Sequence, residues 1–449
     1  MFDENKFYSD LKETKRHILV VGQTGSGKTA NIMMPALYDV LNSGNPALVI
    51  DAKNEYEREV LSLTQGCHKN ITVLDGHSEK IDYFAYDDEV CLTDKVMRLY
   101  SSIESIRPEN NGNNANFAAR AASLLKNIVI IVEQYHQETN LNLIYEANKM
   151  YLDQSDKPYS GFFSELRYFL DTTLEQGMYS QEKSNKTYDS PVHTCQKLLM
   201  KTTIEKTTYG FLTSMVGGRG VSIDQLLYSV QYISVFLDLV LSPTVLSYME
   251  LEPFNQNDNS LIDYWDENGV VLLKLDPSLN DDASMDFVGQ RLKSIFFKYS
   301  FNRVDKTKTL YYVCDEFHRF ITADRETGDQ NFLDRCRSEN VVCILATQSI
   351  QSLENATAHS MTSSKSLAID ILLSNTPNKM FFSTTDVKTQ DYLEKITPKQ
   401  MHSGLPDVFN VRPLSTLGTG QCYYFMSGGG WGIKSFDYEA VNEYKLNIS

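Results

Sequence analysis

Residues 17–34 read His17-Ile-Leu-Val-Val21, Gly22-Gln23-Thr24-Gly25-Ser26-Gly27-Lys28-Thr29, Ala30-Asn-Ile-Met-Met34. An apolar run of strand length enters a glycine-rich loop and a helical pattern leaves it, which is the layout a phosphate-binding P-loop requires. Without a Cβ at the glycines, successive backbone N–H groups can converge on phosphate oxygens. Lys28 can then reach the β- and γ-phosphates, and the Thr29 hydroxyl can ligate Mg²⁺. The expectation is a nucleoside triphosphate site contacted along the whole loop: Gly22, Gln23, Thr24, Gly25, Ser26, Gly27, Lys28 and Thr29.

Such a site needs an acidic residue at the end of a buried strand. The apolar run Leu310-Tyr-Tyr-Val-Cys314 ends in Asp315-Glu316. Asp315 is the expected metal partner, through the water shell of the Mg²⁺. Glu316 is the expected base that orients and deprotonates the attacking water. A mere nucleotide binder needs no adjacent glutamate, so hydrolysis is expected. A third apolar run, Val341-Val-Cys-Ile-Leu345, continues into Ala346-Thr-Gln348. Strand ends are where the catalytic side chains of a parallel sheet gather, so Gln348 is placed to sense the γ-phosphate or position the water. No N-K-x-D follows a strand to select guanine. ATP is the expected nucleotide.

At 449 residues the chain exceeds the usual size of one core, so two domains are expected, and a hydrophobic fraction of 42% is ample to pack them. The cysteines, at positions 67, 91, 195, 314, 336, 343 and 422, show no CxxC spacing and no paired framework. They read as thiols in a reducing compartment. No signal peptide is apparent before the first strand, and the longest apolar stretches are short or carry Asp238. The expectation is a soluble, cytoplasmic protein without a transmembrane segment. A net charge of −16 argues against a surface that coats duplex DNA indiscriminately. It leaves room for local positive charge. Lys183, Lys186, Lys197, Lys201, Lys206 and Arg219 outnumber Asp189 and Glu205 in one stretch, which reads either as a solvated surface or as a nucleic-acid or partner contact.

Strands are also expected at Ala47–Ile50, ending Asp51-Ala-Lys53-Asn-Glu55, at Ile71–Leu74 and at Gly269–Leu275. Asp51 is read equally as a neighbour of the metal shell or as the cap of the next turn, and Lys53 with Glu55 as a local pair. From about residue 95 to 255 the pattern is helical, with candidates at Phe117–Gln137, Ser164–Leu174 and Ile223–Leu241, after the Asn-rich linker at 108–114. Met285–Tyr299 is a further helix candidate. The simplest organisation is an α/β domain in two segments, 1–94 and 256–449, around an all-α insertion at 95–255.

The order of these features resembles the coupling ATPases of conjugative type IV secretion systems (TraG/TraD-like), within the wider FtsK/HerA-like translocase superfamily. The likeness rests on GQTGSGKT, Asp51-Ala-Lys53-Asn-Glu55, the helical insert, Asp315-Glu316-Phe317 and Gln348-Ser-Ile-Gln-Ser-Leu353. Leu373-Ser-Asn375-Thr-Pro-Asn-Lys379, Thr385-Asp386-Val-Lys-Thr389 and the glycine-rich Leu417-Gly-Thr-Gly-Gln421 extend it. The resemblance implies a RecA/FtsK-like P-loop NTPase fold with a mostly parallel sheet, and a homo-hexameric ring with ATP sites between subunits. It also implies an arginine donated by the neighbouring subunit, for which Arg337, ahead of Gln348, is preferred over Arg335. Asn375 would cap a turn or sense nucleotide. The implied activity is ATP-driven movement of single- or double-stranded DNA, or of nucleoprotein, with secretion or relaxosome-like partners. Membrane-bound couplers carry transmembrane helices before the P-loop. The stretch ahead of Gly22 carries none, so recruitment to the inner-membrane face would need a partner. The alternatives are a nucleotide-switched receptor or scaffold for secretion substrates, or a soluble packaging or defence ATPase of the same superfamily.

Overall fold

The computed structural model describes residues 4–56, 70–77, 79–85, 91–106, 119–130, 162–169, 223–250, 260–279, 281–323, 328–357, 365–397, 411–428, 430–437, 439 and 441–442. The basic stretch Lys183–Arg219 and the Asn-rich linker at 108–114 lie outside these residues. The chain divides into two compact units, one formed by Met1–Lys80 with Asn259–Ser449 and the other by Ile81–Asp258.

The first unit is built on a nine-stranded sheet. Its strands are β1 (Ile18–Val21), β2 (Ala47–Asp51), β3 (Ile71–Leu74), β4 (Val270–Lys274), β5 (Leu310–Cys314), β6 (Val341–Thr347), β7 (Asn378–Phe382), β8 (Gln421–Phe425) and β9 (Trp431–Ser435). The spatial order is β9-β8-β7-β1-β6-β5-β2-β4-β3. Strands β7 through β3 are all parallel, and β8 and β9 finish one edge as antiparallel strands. The central strands β1 and β6 are buried at every position. This is why they read as unbroken apolar runs instead of alternating ones: helices cover both faces of a parallel sheet. At the edge, β3 is only half-buried at alternate residues, and Lys and Ser enter β9.

On one face, Phe7, Tyr8 and Leu11 of α1 (Glu4–Glu13) and Leu37, Val40 and Leu41 of α2 (Met34–Asn42) pack with Val20, Val49, Val313, Ile344 and Met380. On the other, Phe296 of α3 (Asp282–Asn302) lies 5.9 Å from the Tyr312 ring and 5.2 Å from Trp265. Helix α3 starts earlier than its apolar spacing suggested because the Asp281 side chain accepts the Ser284 N–H at its N-terminus.

One buried ion pair fixes the chain beyond β5. Lys293 of α3 donates to Asp329 at 2.5 Å, to the Phe320 carbonyl at 2.5 Å and to the Thr322 hydroxyl at 3.2 Å. Asp329, the first residue of α4 (Asp329–Arg335), also accepts the Thr322 N–H at 2.6 Å. Both side chains are 2% exposed. Removing one partner strands the other charge away from water. Lys293→Met is therefore expected to lower unfolding stability by about 3–5 kcal/mol, measured by chemical denaturation.

The second unit is largely helical in its described residues: Leu92–Ile106, 119–130, Phe162–Phe169, Ile223–Val240 and Pro243–Tyr248. A short parallel pair, Ile81–Asp82 with Met249–Glu250, joins its ends. Its core is aromatic, with Phe163 stacked on Phe84 at 6.3 Å and meeting the edge of Phe236 at 6.4 Å. Asp238, which interrupts the long apolar run, pairs with Arg167 at 2.6 Å on the outside of this core. No helix among the described residues is long and apolar enough to cross a membrane.

Candidate nucleotide site

The register of the parallel strands brings several loops to one edge of the sheet. Val21 lies level with Thr347 and Phe381, Cys314 with Leu345, and Ile50 with Cys314. The residues that follow β1, β2, β5, β6 and β7 therefore emerge side by side. This is the carboxyl edge, where open α/β sheets place their ligands.

The P-loop is tied to the neighbouring strands where it begins. The Gly22 N–H donates to the Thr347 carbonyl at 3.1 Å and the Gln23 N–H to the Ser383 carbonyl at 2.9 Å. Gly25 and Gly27 have φ of 77° and 99°, values open to glycine and strained for other residues. A Cβ on Gly27 would stand 2.6 Å from the Asn31 side chain and 3.0 Å from the Gly420 nitrogen. The glycine-rich ending Leu417–Gln421 thus closes on the P-loop, with the Gly420 N–H donating to the Ser26 carbonyl at 3.0 Å. Beyond Lys28 the chain makes a wide π-helical turn, Thr29–Met33, before α2. Asn31 holds this turn: its side chain donates to the Gly27 carbonyl at 2.8 Å, and its own carbonyl accepts the Tyr8 hydroxyl at 2.7 Å.

Lys28 is buried and folds its ammonium onto the carbonyls of Gly22 and, at 3.1 Å, Gln23. Burial pushes its pKa below the ordinary lysine value, against the attraction of Glu316 and Asp315. The Thr29 hydroxyl reaches the Asp315 carboxylate at 3.4 Å. The Ser26 hydroxyl is buried without a hydrogen-bond partner. A phosphate chain fits this set: a buried ammonium, a loop of permissive glycines and an unsatisfied hydroxyl. A hydroxyl beside a carboxylate is a donor set of hard oxygens suited to Mg²⁺.

Glu316 follows at once, in the left-handed backbone region with φ 51° and ψ 41°. A non-glycine residue held there stores about 1–3 kcal/mol, which surrounding contacts must offset. Those contacts are visible. Glu316 forms an ion pair with Lys53, accepts from the Gln348 side chain at 3.0 Å, and lies 3.5 Å from His318 Nδ1. Burial pushes the Glu316 carboxyl up, but Lys53, His318 and Gln348 outweigh it and hold the pKa below the ordinary glutamate value. His318 shifts down, chiefly because burial disfavours its charged form.

The structure corrects two readings of the sequence, for Lys53 and Asn375, and decides the open one, for Asp51, in favour of the cap. Lys53 does not serve as a local partner of Glu55: it reaches across from the end of β2 to Glu316 at the end of the neighbouring β5. Asp51 caps its own turn, taking the N–H groups of Lys53, Glu55 and Tyr56 at 3.3, 3.1 and 2.7 Å with both of its oxygens. Asn375 ends α5 (Lys365–Asn375) just before β7, and β7 runs parallel to β1. It therefore sits at the edge of the sheet opposite the P-loop and cannot sense nucleotide there.

Further site residues were hidden in the sequence. The Tyr56 hydroxyl donates to Asp315 at 3.3 Å, and His318 lies beside Glu316 and 3.4 Å from the Thr347 hydroxyl. Neither carries a motif, and only the strand order shows that their loops meet. The Thr385–Thr389 segment steadies the helix after Gln348. Thr389 accepts the Ile350 N–H at 2.9 Å, and Asp386 accepts from the Thr389 N–H at the start of α6 (Val387–Ile396) and from the Thr389 hydroxyl. Arg337 is exposed in the turn that enters β6, while Gln348 follows that strand's far end. At about 3.3 Å per residue the strand spans roughly 20 Å, so Arg337 cannot touch the P-loop of its own chain. Arg335 lies 4.9 Å over the Phe301 ring at the same remote end.

Residues 2–208 match the family model described as Helicase HerA, central domain. No curated protein sequence matches the chain. Among solved structures, the plasmid coupling protein TrwB in complex with ADP and Mg²⁺ is similar at 11% identity with a TM-score of 0.55, covering 95% of this chain and 86% of that one. TrwB has also been solved with the non-hydrolysable ATP analogue ADPNP (TM-score 0.53, 11% identity, 94% of this chain and 86% of that one). VirB4 of Thermoanaerobacter pseudethanolicus aligns at 12% identity and a TM-score of 0.51, covering 94% and 89%. The chain has a P-loop NTPase fold, which it shares with the coupling protein TrwB and with VirB4.

Proposed function

We propose that the chain is a Mg²⁺-dependent ATPase that moves DNA or nucleoprotein in a conjugative or related type IV secretion machine. One observation carries the catalytic part of this reading. Lys28, Thr29, Asp315, Glu316 and Gln348, far apart in sequence, are gathered by direct contacts or adjoining strand ends at the carboxyl edge of one sheet. The roles follow from chemistry. The P-loop residues Gly22–Thr29 bind the triphosphate, with Lys28 on the β- and γ-phosphates. Thr29 and Asp315 would hold Mg²⁺, which neutralises phosphate charge when bound. Glu316 takes the proton of the attacking water, and Gln348, hydrogen-bonded to it, holds that water in line. Tyr56 and Lys53 orient the two carboxylates.

ATP is favoured over GTP because no guanine-selecting motif follows a strand. DNA as cargo, and a homo-hexameric ring, rest on the likeness to a coupling protein. Arg337, remote from its own P-loop, would in such a ring serve the site of the adjoining copy. The net charge of −16 favours a second reading, a nucleotide-switched receptor for protein substrates.

Steady-state ATP hydrolysis with and without single- and double-stranded DNA separates the two. The translocase reading expects turnover that rises several-fold with one form of DNA. Turnover indifferent to both forms would sink it and favour the receptor.

A further inference from the structure

At the edge of the sheet opposite the P-loop, three side chains that are 5% exposed or less meet: His17 just before β1, Cys336 in the turn after α4, and Cys343 inside β6. One nitrogen of His17 and the two sulfurs all lie within 4.8 Å of one another. Such a trio invites a soft metal, but its hydrogen bonding argues otherwise. The Cys343 backbone N–H donates to His17 Nδ1 at 3.1 Å, so Nδ1 holds the lone pair and Nε2 holds the proton. That proton points to Cys336 Sγ at 3.6 Å. A metal-ligating histidine has the reverse arrangement, with its other nitrogen donating. Here the imidazole faces a sulfur as a donor, and the contact stabilises thiolate at Cys336.

We propose that Cys336 and Cys343 form a peroxide-sensitive dithiol, in which Cys336 is the attacking sulfur and Cys343 the resolving one. The sulfurs differ as such a pair requires. Burial raises the Cys336 thiol, but hydrogen bonds from Cys343 and His17 take it below the ordinary cysteine value. Burial drives Cys343 upward. Both sulfurs are buried, so a small oxidant reaches Cys336 only as its turn opens, and the exposed Asp334, Arg335, Arg337 and Ser338 of that turn line a surface hollow of about 520 Å³. The Cys336 thiolate attacks one peroxide oxygen, the O–O bond breaks, and the hydroxide that leaves takes a proton to become water. The resulting sulfenic acid is attacked by Cys343 sulfur, whose proton goes to the departing oxygen as a second water. Two electrons pass from the sulfurs to peroxide, and one S–S bond forms.

The test uses the full chain, purified under reducing conditions, desalted and treated with hydrogen peroxide. Peptide mapping is expected to show a Cys336–Cys343 cross-link, reversed by dithiothreitol and absent in Cys336→Ser and Cys343→Ser. His17→Gln is expected to slow the cross-link about tenfold or more at neutral pH and less at pH 9, where thiolate forms without help. Thermal melting of each variant checks that it folds. Two thiols that stay free under peroxide in the folded wild-type protein would overturn the proposal. So would a metal ion that copurifies at one per chain and is lost in both serine variants. None of these readouts depends on nucleotide turnover.

Discussion

Glu316→Gln is expected to bind ATP with near-native affinity and to hydrolyse it about 10²–10⁴-fold more slowly, the usual worth of a positioned general base. The substitution keeps the size of the side chain and one oxygen for Lys53, while its new N–H groups can meet the Gln348 carbonyl once that amide turns over; it removes the group that can accept a proton. Single-turnover hydrolysis measured beside fluorescent-nucleotide binding separates the two effects. Unchanged turnover would remove the assignment. The pH profile adds a second reading. The Glu316 pKa lies below the ordinary glutamate value, with Lys53 the strongest of the groups holding it there. The working form is the ionised one, so its loss is expected only as the pH falls through that lowered pKa. Lys53→Met removes the main attraction and should move the acid limb of the profile to higher pH, while burial continues to push in the same direction.

Lys28→Ala is expected to abolish turnover to the limit of detection and to weaken nucleotide binding. The ammonium is buried, lowered in pKa by that burial, and held by the Gly22 and Gln23 carbonyls. On binding, a triphosphate would offer this desolvated charge far stronger partners than two neutral carbonyls. Removing a single preorganised donor of this kind costs about 10²–10³ in rate before the loss of binding is counted. Titration calorimetry with ATP and Mg²⁺ checks the affinity. Wild-type affinity in a folded Lys28→Ala protein would mean that the phosphates lie elsewhere.

The mostly parallel sheet was legible because its buried strands write themselves as apolar runs. Ile18–Val21, Leu310–Cys314 and Val341–Thr347 stand out for that reason, and the chemistry-bearing residues come at their ends. The order of those strands was not legible. Nothing in the residues themselves says that β6 separates β1 from β5, or that β2 lies beside β5. That order decides which loops face one another, so the Lys53–Glu316 pair, Tyr56 and His318 were invisible, and Lys53 was given to its nearer neighbour Glu55. Asn375 misled for the same reason: its side of the sheet depends on the direction of β7. The wide turn at Thr29–Met33 also escaped notice, because one extra residue per turn leaves no mark on hydrophobic spacing.

The strand order also sets a timetable for synthesis. The P-loop strand β1 is made before both of its partners in the sheet, residues 341–347 and 378–382, and the Ser26 carbonyl finds its donor only at Gly420. A ribosome-bound chain that stops short of these residues has the phosphate-binding motif in full and no scaffold to shape it. The nascent β1 must wait, apolar and unpaired, until β6 and β7 have been made, and in that interval it is exposed to misfolding. Nucleotide capture would then report completed folding of the unit, since the loop after β1 closes only when Gly420 is in place.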